Sequence, residues 1–180
     1  MSEKYKFHEP SGIYFTTTTV AFWVDLFTKP AYKHLIVESL RYCQKEKGLK
    51  IHAWCLMSSH LHMIISSEDN ELSSIMADFK KHTSKQVIKI LDQINESRKE
   101  WLLRSFSSAA QKLTKVKNYK VWHEGNHPIL LDSTQLLTEK LDYIHMNPVE
   151  DESLDEPSYY WYSSARNYEG KVGLIKVDLL

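Results

Sequence analysis

The chain has 180 residues, equal numbers of acidic and basic side chains and 42% hydrophobic residues, enough to pack one core. Two cysteines, Cys43 and Cys55, are too few for a disulfide framework and fit a reducing, cytoplasmic compartment. The first ten residues are polar, without the apolar stretch of a signal peptide, and no apolar run approaches the roughly 20 residues that cross a bilayer. The neutral total conceals a split. Residues 80–120 hold eleven basic residues against three acids, and residues 132–156 hold eight acids against Lys140 alone. A basic stripe for a phosphate backbone and two opposed solvated helix faces both fit this pattern.

Gly12–Val20 is rich in β-branched and aromatic residues and predicts a first strand. Pro30 suits the first turn of a helix reaching about Lys47, with Tyr32, Leu35, Ile36, Leu40 and Cys43 facing the core and Gly48 at its C-cap. Leu49–Met57 predicts a second strand, Ser58-Ser59 a tight turn and His60–Ser66 an antiparallel third strand. Strand, helix and hairpin make half of a ferredoxin-like (RRM-like) α+β fold, an antiparallel sheet with helices on one face. Asp69 or Asn70 is positioned to cap the next helix, whose buried side runs through Leu72, Ile75, Met76 and Phe79 and continues at Val87, Ile90, Leu91 and Ile94. Lys80, Lys81, Lys85 and Lys89 decorate it and are the candidate DNA-binding residues. Residues 95–120 read as a helical insertion within a single domain spanning 1–180, with Trp101, Leu102, Phe106, Ala109, Ala110 and Leu113 as its apolar positions. Val121–Glu124 and Ile129–Leu131, bracketing a Gly-Asn-His-Pro turn, supply the fourth strand. Ser133 caps a last long helix that Pro148 ends. Aromatics at 159–162 serve packing or base stacking.

Two stretches carry chemistry. In a strand, residues i and i+2 share a face, so His60 and His62 stand side by side with Leu61 and Met63 turned away. Two neutral imidazoles so held are half of a metal site, although a lone His-X-His pair in a strand is more often two histidines with no shared role. His52, placed to share that face across the hairpin, leaves a Zn²⁺ alternative open, with Cys55 of opposite parity and pointing away. Farther on, Leu141-Asp-Tyr-Ile-His-Met-Asn-Pro-Val149 puts Tyr143 and Asn147 on one helix face.

Together the two stretches resemble the HUH single-tyrosine transposases, in particular the REP-associated tyrosine transposases. His60-Leu61-His62 matches the His-hydrophobic-His motif, and Tyr143 falls at the nucleophile of a Tyr-Ile-His-x-Asn-Pro-Val signature. The resemblance extends over nearly the whole chain, from the Thr-rich first strand through Val121-Trp122-His123 to Trp161-Tyr162-Ser163-Ser164-Ala165. It implies an HUH endonuclease fold and a strand transferase for single-stranded or hairpin DNA. It implies Tyr143 as the nucleophile of a 5′-phosphotyrosine intermediate, and Mg²⁺ or Mn²⁺ held by His60, His62 and Asn147. His145, in the same signature, is read as structural or substrate-orienting. A homodimer and a single working chain both fit the resemblance. The alternatives are a catalytically inactive DNA-binding protein that keeps the fold and a Zn²⁺-dependent hydrolase using water. The chain departs from the pattern in two places. Ser58-Ser59 stands where Pro-Asn is usual, and Glu150-Asp151-Glu152 stands where Arg-Ala-Gly is common, which places three acids beside a phosphate-handling helix.

Overall fold

The structure, a computed structural model, describes residues 7–69, 71–111 and 118–180. The Thr-rich segment forms β1 (Tyr14–Thr19). Helix α1 (Pro30–Lys47) begins with Pro30 in its first turn and stops at Gly48, whose φ of 66° is left-handed and whose N–H closes on the Cys43 carbonyl. The chain returns through β2 (Leu49–Leu56) and β3 (His60–Ser67), then runs along α2 (Leu72–Gln93) and α3 (Lys99–Gln111) to β4 (Ile129–Leu130) and α4 (Thr134–Glu150). A single turn, α5 (Ala165–Tyr168), lies near the C-terminus. The strands form one antiparallel sheet in the order β2-β3-β1-β4, the ferredoxin-like connectivity expected of the strand–helix–hairpin half.

The two faces of the sheet are covered differently. Leu61, Met63 and Ile65 of β3 enter the main core with Ile36 and Leu40 of α1 and Ile75, Met76 and Phe79 of α2. On the other face, Phe15, Ala53, Cys55 and Ile64 pack around Ile144 of α4, which is wholly buried. Helices α1 and α2 thus occupy one face, as expected, while α4 crosses the face that carries the histidines. Register sets what meets there: Thr17 lies opposite His62, and Thr19 opposite His60.

A shift in register between Ile51 and Ala53 reverses the alternation of β2. Cys55 pairs with His62 and therefore shares its face, contrary to the parity read from the sequence, because the bulge inserts one residue ahead of it. The outer edge of β2 is paired with the C-terminal segment: Leu56 N–H bonds to the Tyr162 carbonyl and Ser164 N–H to that of Trp54.

Other local expectations are corrected. Asp69 does not cap α2. Glu71 holds the N-cap position without a side-chain bond, and its N–H is received by Ser67 Oγ at 3.2 Å. Asn70, the other candidate cap, lies outside the described residues. Pro148 does not end α4, which continues to Glu150. A proline removes only its own N–H, and the Asp151 N–H still reaches the Asn147 carbonyl at 3.0 Å. The fourth strand is interrupted: Trp122 bridges Val20, Ile129 and Leu130 pair with Phe15 and Tyr14, and Gly125 and His127 between them have left-handed φ. In the predicted insertion, Leu102 and Phe106 of α3 belong to the main core, whereas Leu113, Lys112, Lys115 and Lys117 lie outside the described residues. Among the described residues no helix is long and apolar enough to cross a membrane.

Candidate active site

His62 sits in the middle of β3, 3% exposed. Its Nδ1 lies 2.9 Å from Thr17 Oγ1, a bond that follows from the Thr17–His62 register, and Phe15 stacks on its ring at 5.7 Å and 22°. Nδ1 is thereby occupied, while the buried Nε2 has no hydrogen-bond partner among the described residues. Burial, with a smaller contribution from the neighbouring His60, holds the imidazole neutral down to about pKa 3.

His60, two residues earlier on the same face, has its ring centroid 4.5 Å from that of His62. Ser59 Oγ lies 3.0 Å from its Nδ1, and the Asn147 side chain hydrogen-bonds the ring. Burial lowers its pKa most, and the charges of Asp151 and Asp25 partly oppose the shift. Trp23 approaches the ring edge-on at 5.5 Å.

Helix α4 brings Tyr143 over this pair. The tyrosine is 40% exposed, with its ring 5.2 Å from His62 and 5.9 Å from Phe15, edge-on to both. The Lys140 ammonium lies 5.8 Å from the Tyr143 ring. One turn farther along, Asn147 faces the same way and reaches His60. The helix is held in place by Ile144 and by His145, whose Nε2 meets Ser164 Oγ at 2.8 Å. Ser164 Oγ in turn accepts from the Trp54 N–H and donates to the Trp54 carbonyl, so the helix is tied to β2. Burial pushes the His145 pKa down to about 4, which keeps it a neutral structural link.

Two imidazoles, an amide oxygen and a phenol thus converge from strands and a helix remote in sequence. The family model for IS200-like transposases matches residues 20–121, more than half of the chain. The chain belongs to that family. The matched span of the transposase includes His60 and His62 and ends before Tyr143 and Asn147. Among solved structures, one described as the REP-associated tyrosine transposase bound to a REP hairpin is similar over 100% of this chain and 94% of its own, at 19% identity and a TM-score of 0.62. At that identity the likeness shows the fold. No curated protein matches in sequence.

The transposase has a Zn²⁺ alternative that its geometry does not favour. Among the described residues, no three His, Cys, Asp or Glu side chains gather to hold a metal. His52 is committed on both nitrogens, to the Asp178 carbonyl and to Ser66 Oγ, each at 2.8 Å. Cys55 is wholly buried, contacts Met57 Sδ at 3.6 Å, and has its thiol pKa raised to about 12 by burial.

The four lysines of α2 separate into two groups. Lys80 turns inward and donates to the carbonyls of His123 (3.0 Å) and Gly125 (2.6 Å) and to Asn126 Oδ1 (3.2 Å). The Asn126 carbonyl in turn accepts from the Thr17 N–H, so Lys80 supports the strand that orients His62. Lys81, Lys85 and Lys89 are exposed. Lys81 and Lys85 line the groove between α1 and α2, across the sheet from the histidines.

Sequence reasoning missed Thr17, Phe15 and Trp23. The first two were detectable from strand pairing: with β1 against β3, Thr17 lies opposite His62, and Phe15, opposite Ile64, is its diagonal neighbour on the same face. Trp23 carried no signal, because its position depends on an irregular turn.

Proposed function

We propose that this transposase cuts and rejoins single-stranded DNA through Tyr143, with His60, His62 and Asn147 holding a divalent cation. The reading rests on one observation: the Tyr143 ring stands 5.2 Å from a buried imidazole whose Nε2 has no partner among the described residues. The residues fit a cation. Both rings are kept neutral by burial, and with Nδ1–H donating to Thr17 the Nε2 lone pair of His62 is available. Two nitrogens and an amide oxygen leave positions for a phosphate oxygen and water, which suits Mg²⁺ or Mn²⁺. When bound, such a cation supplies charge neutralisation at the phosphate oxygens.

The chain's own residues then have separate tasks. The Tyr143 hydroxyl forms the new O–P bond as the bond from phosphorus to the 3′-oxygen breaks. The phenol gives up its proton and the departing 3′-oxygen gains one, leaving a 5′-phosphotyrosine and a 3′-hydroxyl. The reverse attack by a 3′-hydroxyl restores Tyr143 without an external energy source. Phe15 backs the ring of His62 and the edge of Tyr143, so both face the phosphate in a fixed relation. The similar structure described as bound to a REP hairpin supports a hairpin-bearing strand as substrate. In this reading Lys81, Lys85 and Lys89, on the helix across the sheet from the histidines, attract DNA that lies beyond the reacting segment, and Lys80 supports the loop at 123–126.

The test is incubation with end-labelled, hairpin-bearing single-stranded oligonucleotides and Mn²⁺. Wild-type protein is expected to form a covalent adduct, and Tyr143→Phe to bind DNA without forming one. A protein that binds and never cuts is the non-catalytic DNA-binding alternative. A Tyr143→Phe variant that still cuts without forming an adduct uses water as its nucleophile.

A further inference from the structure

Between β1 and α1 the chain makes a short 3-10 turn, Ala21–Trp23, whose backbone is unusual. Phe22 and Trp23 both have left-handed φ, 58° and 56°, although neither is glycine or asparagine. Such a conformation is unfavourable for a bulky side chain and persists only where surrounding bonds impose it. Those bonds are present: Ala21 N–H to the Val121 carbonyl (2.7 Å), Trp23 N–H to that of Val20 (3.0 Å), and Phe27 N–H to that of Ser58 (2.8 Å). The strain does not serve burial. Trp23 remains 64% exposed, with its ring edge-on to His60 at 5.5 Å.

Two carboxylates, those of Asp25 and Asp151, lie near His60 at this corner, and a strand arriving there meets both. The guanidinium of Arg98, which reaches the Asp25 carbonyl, is already engaged by Glu96 and Thr28. An uncharged contact is therefore the better source of affinity on this side. An exposed indole held rigidly beside the reacting centre supplies one, because every nucleobase offers a π-face.

We propose that Trp23 is the stacking platform for one unpaired nucleobase next to the phosphate attacked by Tyr143. This rests on the functional reading above and adds to it the residue that positions the strand. The probe is a set of hairpin-bearing single-stranded oligonucleotides, each with a single abasic site at a successive position beside the hairpin foot. Affinity is measured by fluorescence anisotropy on Trp23→Ala, Trp23→Gly and Trp23→Phe, alongside Mn²⁺ affinity and melting temperature. Trp23→Ala is expected to weaken DNA binding about tenfold, the scale of one base–aromatic stack, and Trp23→Phe to restore most of it. One abasic position should reproduce that weakening in wild type and add nothing in Trp23→Ala. Trp23→Gly should keep Mn²⁺ affinity and melting temperature, since glycine tolerates the left-handed φ. Unchanged DNA affinity in Trp23→Ala, or loss of Mn²⁺ affinity and stability together with DNA affinity in Trp23→Gly, overturns the proposal. A wild-type protein that makes no adduct while the Trp23 dependence stands overturns the cleavage reading instead and leaves the stacking contact intact.

Discussion

The Tyr143 ring meets that of His62 edge-on, with centroids 5.2 Å apart at 74°. The two residues belong to different elements, and three independent devices bring them together. The Thr17–His62 register aims the imidazole, Ile144 seats α4 on the sheet, and the His145–Ser164–Trp54 link ties that helix to β2. Each device can be removed separately.

Thr17→Val keeps a β-branched residue in β1 while deleting the oxygen that holds His62 Nδ1. Stability should fall by about 1–3 kcal/mol, because the buried His62 Nδ1 loses its partner. Mn²⁺ affinity, measured by calorimetry, should fall about 10- to 100-fold, the usual effect of removing the partner that orients a metal-binding histidine. His62→Ala should abolish binding, and Asn147→Ala should weaken it.

Lys80 and the exposed lysines of α2 should behave oppositely. Lys80→Met leaves the carbonyls of His123 and Gly125 without their donor, and should lower stability by about 1–3 kcal/mol in denaturant unfolding. Exchanging Lys81, Lys85 and Lys89 together for alanine should leave stability alone. It should reduce the slope of log affinity against log salt by about 2, at roughly 0.7 for each single-strand phosphate that is no longer neutralised.

Acid should destabilise the metal-free protein through its buried histidines. His62 and His145 are held near pKa 3 and 4 when folded, below the value of about 6.5 in an unfolded chain. As pH falls below about 6.5 the unfolded chain takes up protons that the native one refuses, so stability is complete above that pH and declines toward the folded values. Each histidine should contribute roughly 2–3 kcal/mol of this decline by pH 4.5. His145→Asn should lose less stability between pH 7.5 and 4.5 than wild type, measured by chemical denaturation at both values.

The parts of the fold legible in the sequence are those set by local chemistry. Pro30 and Gly48 marked the ends of α1, and Ser133 Oγ does cap α4, accepting from the Leu136 N–H. The histidine face followed from the period of two, and the shared face of Tyr143 and Asn147 from the helical period. What escaped depends on neighbours distant in sequence. The bulge beside His52 cannot be read from β2 alone, so the parity of Cys55 came out reversed. The inward turn of Lys80 needs a loop some forty residues on, and its ammonium looks like any other in a basic stripe until that loop is present.

The central claim is that the Tyr143 oxygen becomes bonded to phosphorus. Mass spectrometry of the protein digested after reaction with a hairpin-bearing single-stranded oligonucleotide and Mn²⁺ tests it most directly. The account predicts a nucleotide linked through its 5′-phosphate to the peptide carrying Tyr143. Cut DNA with every peptide unmodified, or a nucleotide attached to another residue, would contradict it.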